Sequence, residues 1–330
     1  MRVTVGRRSG TPSNEGFRGG EVPRPAGYRI GPSGFIVSGV ETTIMSTCAK
    51  EALMHTDAAA VPATTPHLIA PETWVIPNLA PAGDGLFLPV NSMVIRGAEP
   101  VIVDTGAPMH RELWLEKVFS VVDPEDVRWI FLSHDDGDHT GGLLDALELC
   151  PRATLVTNFF SVERLALEKP ALPLERMRWL DAGESFDAGD RTLYLFKPPI
   201  FDGPTTRGLY DPKTAAMWIV DTFACLTPGA VHHFDDLPRD LVEENLPAMN
   251  SLVSPWHQWL DPAAYRRQVD AVEGLGVLTV ASAHGPVMTG DAIRHGFDVV
   301  RELAGKPIIP APGQALLDDL VAGILAGSAA

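Results

Sequence analysis

The stretch Ser133-His134-Asp135-Asp136-Gly137-Asp138-His139-Thr140-Gly141-Gly142 puts two imidazoles and three carboxylates into six consecutive positions, straight after the apolar run Trp129-Ile130-Phe131-Leu132. Carboxylates this close repel one another and lose hydration when buried, so a bound cation is the physical reason to keep them together. A solvated acidic turn accounts for the Asp and Gly residues but not for a histidine at each end. The loop is expected to bind metal at the end of a buried strand over residues 127–133.

Outward from this loop the pattern changes character. Upstream, β-type runs at 74–79, 86–95 and 100–104 are separated by turn-forming residues and read as consecutive hairpins. Apolar residues at helical spacing over 111–122 follow. Downstream, helix 142–149, strand 153–157, helix 159–167, strands 191–196 and 215–220, a helical region 237–274, strand 277–281 and helix 291–303 succeed one another. Hairpins ahead of strand-helix units, with more strands than one doubly wound sheet needs, predict an α/β fold of two sheets between helices.

Composition narrows the function classes. A chain of 330 residues, 45% hydrophobic, can bury a large core. Its net charge of −16 argues against nucleic acid, whose phosphates call for a basic face. Cys48, Cys150 and Cys225 lie far apart with no CxxC pairing, which suits a reducing compartment and offers no thiolate site. No apolar run approaches the ~20 residues of a membrane span, and the start lacks an apolar segment with a cleavage site, so the cytoplasm is the expected location. Residues 1–45 are rich in Gly, Pro, Ser and Arg, with six basic residues against three acidic ones. They read as a disordered basic leader, with Met45 as an alternative start. Residues 46–72 then form a linker, 73–305 the metal domain and 306–330 a C-terminal extension.

At the metal loop the chain resembles the metallo-β-lactamase fold superfamily, whose usual sequence is His-x-His-x-Asp-His. Here it runs His134-x-Asp136-x-Asp138-His139, with an acid in place of the second histidine, as the flavodiiron branch has. Asn91-Ser92-Met93-Val94-Ile95 and Val101-Ile102-Val103-Asp104-Thr105-Gly106 extend the resemblance, which covers about residues 73 to 305. It implies a four-layer αββα sandwich. It also implies a carboxylate bridging two metals, matched by Asp221 after Met217-Trp218-Ile219-Val220, and a last histidine ligand, matched by His284 after Val280-Ala281-Ser282-Ala283. The histidine that the family places between the metal loop and the bridging carboxylate is missing, since no histidine occurs from 140 to 231. Asp202, in Pro199-Ile200-Phe201-Asp202-Gly203-Pro204 and 19 residues before Asp221, stands in its place, as a ligand or as a turn residue. By resemblance, one metal takes His134, Asp136, Asp221 and Asp202, and the other takes Asp138, His139, Asp221 and His284. Asp138 and Asp221 are the candidate catalytic carboxylates.

Four carboxylates with three imidazoles favour two iron ions, with zinc or manganese also feasible. The redox reading that the resemblance implies is binding or reduction of dioxygen or nitric oxide. Only 46 positions follow His284, too few for the FMN-binding flavodoxin domain of flavodiiron enzymes, so a separate electron-transfer protein is expected. The alternative is a hydrolase whose metals activate a water against an ester, lactone or phosphodiester. A single-metal binding module remains if Asp202 is not a ligand. Neither a nucleic-acid nor a membrane partner is expected, and a homo-oligomer is compatible with the sequence. Thr140-Gly141-Gly142 reads as a helix start whose amides could steady an anion. His232, His233, His257 and the tryptophans Trp256 and Trp259 read as surface or packing residues.

Overall fold

The computed structural model describes residues 61–83, 85–310 and 313–327. The leader expected over 1–45 and positions 46–60 of the expected linker lie outside the described residues, as does Cys48. The first half runs β1 (His67–Ala70), β2 (Thr73–Ile76), β3 (Leu79–Gly83), β4 (Leu86–Pro89), β5 (Ser92–Ile95), β6 (Val101–Val103), α1 (Arg111–Val121), β7 (Trp129–Phe131), α2 (Gly137–Thr140), α3 (Leu143–Leu149), β8 (Thr154–Thr157), α4 (Phe159–Glu168) and β9 (Met177–Trp179). The second half runs β10 (Ser185–Asp187), β11 (Thr192–Phe196), β12 (Gly208–Asp211), β13 (Ala216–Trp218), α5 (Arg239–Val253), α6 (Pro262–Glu273), β14 (Thr279–Ser282), β15 (Gly285–Thr289), α7 (Asp291–Arg301) and α8 (Gln314–Gly327).

Two sheets result, one ordered β1-β2-β5-β6-β7-β8-β9 and the other β10-β11-β12-β13-β14-β15, with β3-β4 as a separate hairpin. Their packing follows from the two-residue period of a strand. In β5, Met93 and Ile95 join the core between the sheets while Val94 faces the opposite way. In β6, Val101 and Val103 point inward and Ile102 outward. In the second sheet Trp218 and Ala281 point inward, and Met217 and Val280 face α5, α6 and α7. Strands apolar on both faces must be covered on both, so Trp114 and Val118 of α1 and Leu143 of α3 close the outside of the first sheet. The αββα sandwich expected from the resemblance is the observed architecture.

Several boundaries differ from the sequence reading, each for a physical reason. Positions 67–70, expected as linker, form β1, paired antiparallel with β2 with His67 opposite Val75. The run 86–95 is two strands, because after Pro89 the chain leaves the β3-β4 hairpin for the first sheet. Region 237–274 is two helices split at the 3-10 turn Pro255–Trp259, where Pro255 cannot continue α5. Four of the six strands without a sequence signal, β1, β9, β10 and β15, are the outermost strands of the two sheets, the others being β3 and β12. An edge strand has one unpaired side and needs no continuous apolar run. Residues 314–327 of the expected C-terminal extension form α8. No helix among the described residues is long and apolar enough to cross a membrane.

Candidate metal centre

The parallel pairs β6-β7 and β13-β14 put Asp104, His134, Asp221 and His284, each just past a strand end, at the same end of the sandwich. The loop after β7 adds Asp136, Asp138 and His139, the last two on the single-turn α2. All seven residues expected from the sequence come together. Donor atoms of His134, Asp136 and Asp202 lie within 4.8 Å of one another, as do those of Asp138, His139 and His284, and those of His134, His139 and Asp221.

Asp221 stands between the first two groups. Its Oδ2 is 3.5 Å from His134 Nε2, while its Oδ1 is 3.3 Å from both His139 Nε2 and His284 Nε2. His284 Nε2 also lies 3.2 Å from Asp138 Oδ2. The ring orientations are set from behind. His139 Nδ1 donates to Asp104 Oδ2 at 2.9 Å, and His284 Nδ1 donates to the Pro89 carbonyl at 2.8 Å. Ser133 Oγ donates to Asp104 Oδ2 at 2.6 Å and so accepts from His134 Nδ1 at 3.1 Å. Each Nε2 lone pair is thereby turned toward Asp221.

Asp104 has no exposed surface and also accepts from the Ser133 amide at 2.7 Å and Trp218 Nε1 at 3.0 Å. Sequence reasoning quoted its motif without giving it a role. The available signal was its place at a strand end, the criterion that selected Asp221 and His284. The backbone is strained here, since Asp104 has φ +58° and Val220, just before Asp221, has φ +61°. For a β-branched residue this costs about 1–3 kcal/mol. The Val220 carbonyl is pinned by the Ala283 amide at 2.8 Å and by Ser282 Oγ at 3.0 Å, which aims the Asp221 side chain. Asn91 ties the same loop to β5, its Nδ2 donating to the Ser282 and Gly285 carbonyls, each at 2.9 Å.

The electrostatics show what such crowding needs. Burial pushes Asp136 up to about 7, helped by the Asp202 carboxylate beside it. Asp202 is held below the usual range despite burial, by His134 and by its hydrogen bond with Asp136. Burial works to lower His284, yet the Asp138 and Asp221 carboxylates, 3.2 and 3.3 Å from its Nε2, raise it to about 10. His139 is likewise raised against burial, by Asp138 and then Asp104. His134 is lowered by burial and by the neighbouring His139.

A divalent ion fits this set. His139 Nε2 and Asp221 Oδ1 are fully buried and find no hydrogen-bond partner among the described residues, an arrangement costly to leave without a cation. Metal would displace the protons that otherwise balance the carboxylates. In metal-free protein, His284 contributes stability that is complete below its unfolded value of 6.5 and is lost as pH rises toward 10. Asp136, also raised, contributes stability that is lost as pH rises from 3.8 through 7. The unfolding midpoint of chelator-treated protein is expected to fall steadily between pH 5 and roughly 10, while metal-loaded protein stays level across pH 6 to 9. Thermal melts with and without chelator check this, and parallel curves would contradict it.

Other expectations resolve differently. The Gly141 and Gly142 amides donate to the Gly106 and Thr105 carbonyls at 2.7 and 3.0 Å, so they are not free to steady an anion. A Cβ on Gly141 would lie 2.3 Å from the Ala107 carbonyl carbon, so that glycine serves close packing. His257 is buried and pairs with Ser251 Oγ at 2.8 Å, and His232 packs edge-on against His67, 4.2 Å between ring centroids. Trp256 packs against Phe201, next to Asp202, while Trp259 is largely exposed. Burial pushes the Cys150 and Cys225 thiols up to about 12, which leaves them inert.

Comparison with known proteins agrees with the fold. The family described as the metallo-beta-lactamase superfamily matches residues 85–156. Putative diflavin flavoprotein A 1 of Nostoc sp. is 29% identical over 204 residues, 60% of this chain and 33% of that protein. Diflavin flavoprotein A 1 of Synechocystis sp. is 25% identical over 200 residues, 60% of this chain and 34% of that protein. The chain spans about a third of the length of these curated relatives. Among solved structures, the flavodiiron protein from Giardia intestinalis superposes with a TM-score of 0.61 at 18% identity, over 73% of this chain and 59% of that one. Rubredoxin oxygen:oxidoreductase from Desulfovibrio gigas does so with a TM-score of 0.61 at 16% identity, over 72% and 61%. By its layers, the order of its candidate ligands and these likenesses, the chain is a metallo-β-lactamase-fold protein that resembles the flavodiiron branch.

Proposed function

We propose that this chain holds two iron ions and binds or reduces dioxygen or nitric oxide, drawing electrons from a redox partner. The observation that carries this reading is the donor set: Asp136, Asp138, Asp202 and Asp221 with His134, His139 and His284, in two groups that meet at Asp221. A set with more carboxylates than imidazoles and no thiolate suits iron or manganese better than a histidine-rich set does. The matched curated relatives are flavoproteins by name, which supports redox chemistry over hydrolysis.

In this reading His134, Asp136, Asp202 and Asp221 hold one ion, and Asp138, His139, His284 and Asp221 hold the other. Two such ions supply reversible one-electron changes beside a diatomic substrate. The protein's residues fix spacing and protonation. Asp221 presents one oxygen to each group, and Asp104 and the Pro89 carbonyl keep the imidazole Nε2 lone pairs turned inward. Asp136, Asp138 and Asp202 are the half-buried carboxylates of the site and form its mouth, with 42% and 36% of the Asp136 and Asp138 side chains exposed.

Anaerobic loading with iron(II) is expected to give two irons per chain and an absorption that appears in air and bleaches with reductant. Ester, lactone and cyclic phosphodiester panels should then show weak turnover. Stoichiometric zinc with no iron uptake, together with turnover on such a panel, would sink the redox reading in favour of hydrolysis.

A further inference from the structure

Asp135, between two candidate ligands, faces away from them. Asp136 is extended, with φ −67° and ψ 150°, and along extended backbone successive side chains alternate. His134 and Asp136 therefore look into the site while Asp135 looks toward the loop 199–207 and α4. Its side chain is 3% exposed, and both oxygens are engaged: Oδ1 accepts from Thr205 Oγ1 at 2.6 Å and Oδ2 is ion-paired with Arg164 Nε at 2.7 Å. A buried carboxylate is tolerated when each oxygen has such a partner.

We infer that Asp135 is a positioning residue that latches the loop bearing Asp202 onto the metal loop, with Thr205 and Arg164 as its two catches. This rests on the two-metal reading and on Asp202 as a ligand in it. Asp202 lies outside any strand, six residues before β12 begins at Gly208, so no sheet ladder sets its distance from His134. Local ties set it instead. Thr206 Oγ1 donates to Asp202 Oδ1 at 2.9 Å, Lys197 Nζ to the Gly203 carbonyl at 2.9 Å, and Asn158 Nδ2 to the Thr205 carbonyl at 2.8 Å. The tie from Thr205 to Asp135 reaches the metal loop itself, 70 positions away in sequence, beside the backbone bond from the Arg207 amide to the Ser133 carbonyl at 2.8 Å. An aspartate is shorter than a histidine that coordinates through Nε2, so a carboxylate here has to be carried to the ion by its backbone. The latch does that. Arg164, 55% exposed, lies over the outer side of the same carboxylate with Nη2 4.0 Å from Asp136 Oδ1, so the catch also borders the mouth.

The test is a zinc(II) titration of the full chain after chelator treatment, in competition with a chromophoric chelator, resolving two successive affinities. Asp202→Ala identifies the affinity that belongs to its site. Thr205→Val keeps the shape of the side chain and removes the hydroxyl donor. It is expected to weaken that same affinity by about 10–100-fold and leave the other unchanged, with Thr205→Ser restoring it. Arg164→Met, at the surface, is expected to weaken it in the same direction and carries the test should Thr205→Val fail to fold. Unchanged affinities in Thr205→Val and Arg164→Met, or equal losses at both sites, overturn the latch. Should Asp202→Ala itself change neither affinity, the assignment of Asp202 as a ligand fails, and the latch with it.

Discussion

Asp221→Ala is expected to take the metal content from two equivalents to none, whereas His134→Ala should leave the second ion bound. The difference follows from position. Asp221 Oδ2 lies 3.5 Å from His134, while Oδ1 lies 3.3 Å from both His139 and His284, so this one carboxylate serves both groups. His134 belongs with Asp136 and Asp202 and lies beside Asp221, but has no part in the set of Asp138, His139 and His284. A histidine titration of the metal-free variant gives a second readout. With Asp221 gone, His284 loses one of the two carboxylates that raise it to about 10, and burial, which works to lower it, gains ground. Its titration midpoint should move downward. Elemental analysis that finds one full equivalent in Asp221→Ala would show that the two groups do not depend on a shared carboxylate.

The second large effect is expected at Asp104, which is not a candidate ligand but holds one of them, His139, from behind. Asp104→Ala removes a fully buried carboxylate that accepts from the Ser133 amide, Ser133 Oγ, His139 Nδ1 and Trp218 Nε1. Four donors then lose their acceptor in a dry core, and His139 loses a partner that raises its proton affinity. A loss of about 3–5 kcal/mol in unfolding free energy is expected. Metal affinity at the His139 group should fall about 10–100-fold as that ring becomes free to turn. Asp104→Asn tolerates the positive φ and keeps one acceptor oxygen, so it should lie between alanine and the parent. Urea unfolding at pH 7 with chelator present separates the fold effect from the metal effect. Wild-type stability in Asp104→Ala would mean that its hydrogen bonds are replaced by water.

Much of the fold and the site is legible in the chain, and what is missing shares a cause. The loop from Ser133 to Gly142 announces itself because its ligands are neighbours. The apolar runs before Asp221 and His284 announce strands because each residue in them is buried on one face or the other. Asp104 sits in an equally plain run, yet nothing local says that its side chain turns back onto His139, 35 positions later. The expectation for Gly141 and Gly142 failed similarly, since their amides are consumed by carbonyls of the loop after β6, which local pattern does not reveal. The outer strands β1, β9, β10 and β15 are too short and too open on one side to need a periodic signature.

By itself the sequence determined that one loop crowds two imidazoles and three carboxylates, that later strands end at Asp221 and His284, and that helices must cover both faces of buried strands. These follow from contiguous pattern, because hydrophobic period and charge crowding act between near neighbours. Only the tertiary structure decided that Asp221 lies between both groups, that Asp202 stands beside Asp136, and that Asp135 turns away from them to accept from Thr205. Those relations join residues tens of positions apart. They depend on how two sheets pack, on hydrogen bonds such as Thr205 to Asp135, and on left-handed backbone at Val220, which a β-branched residue disfavours and only the surrounding structure can impose.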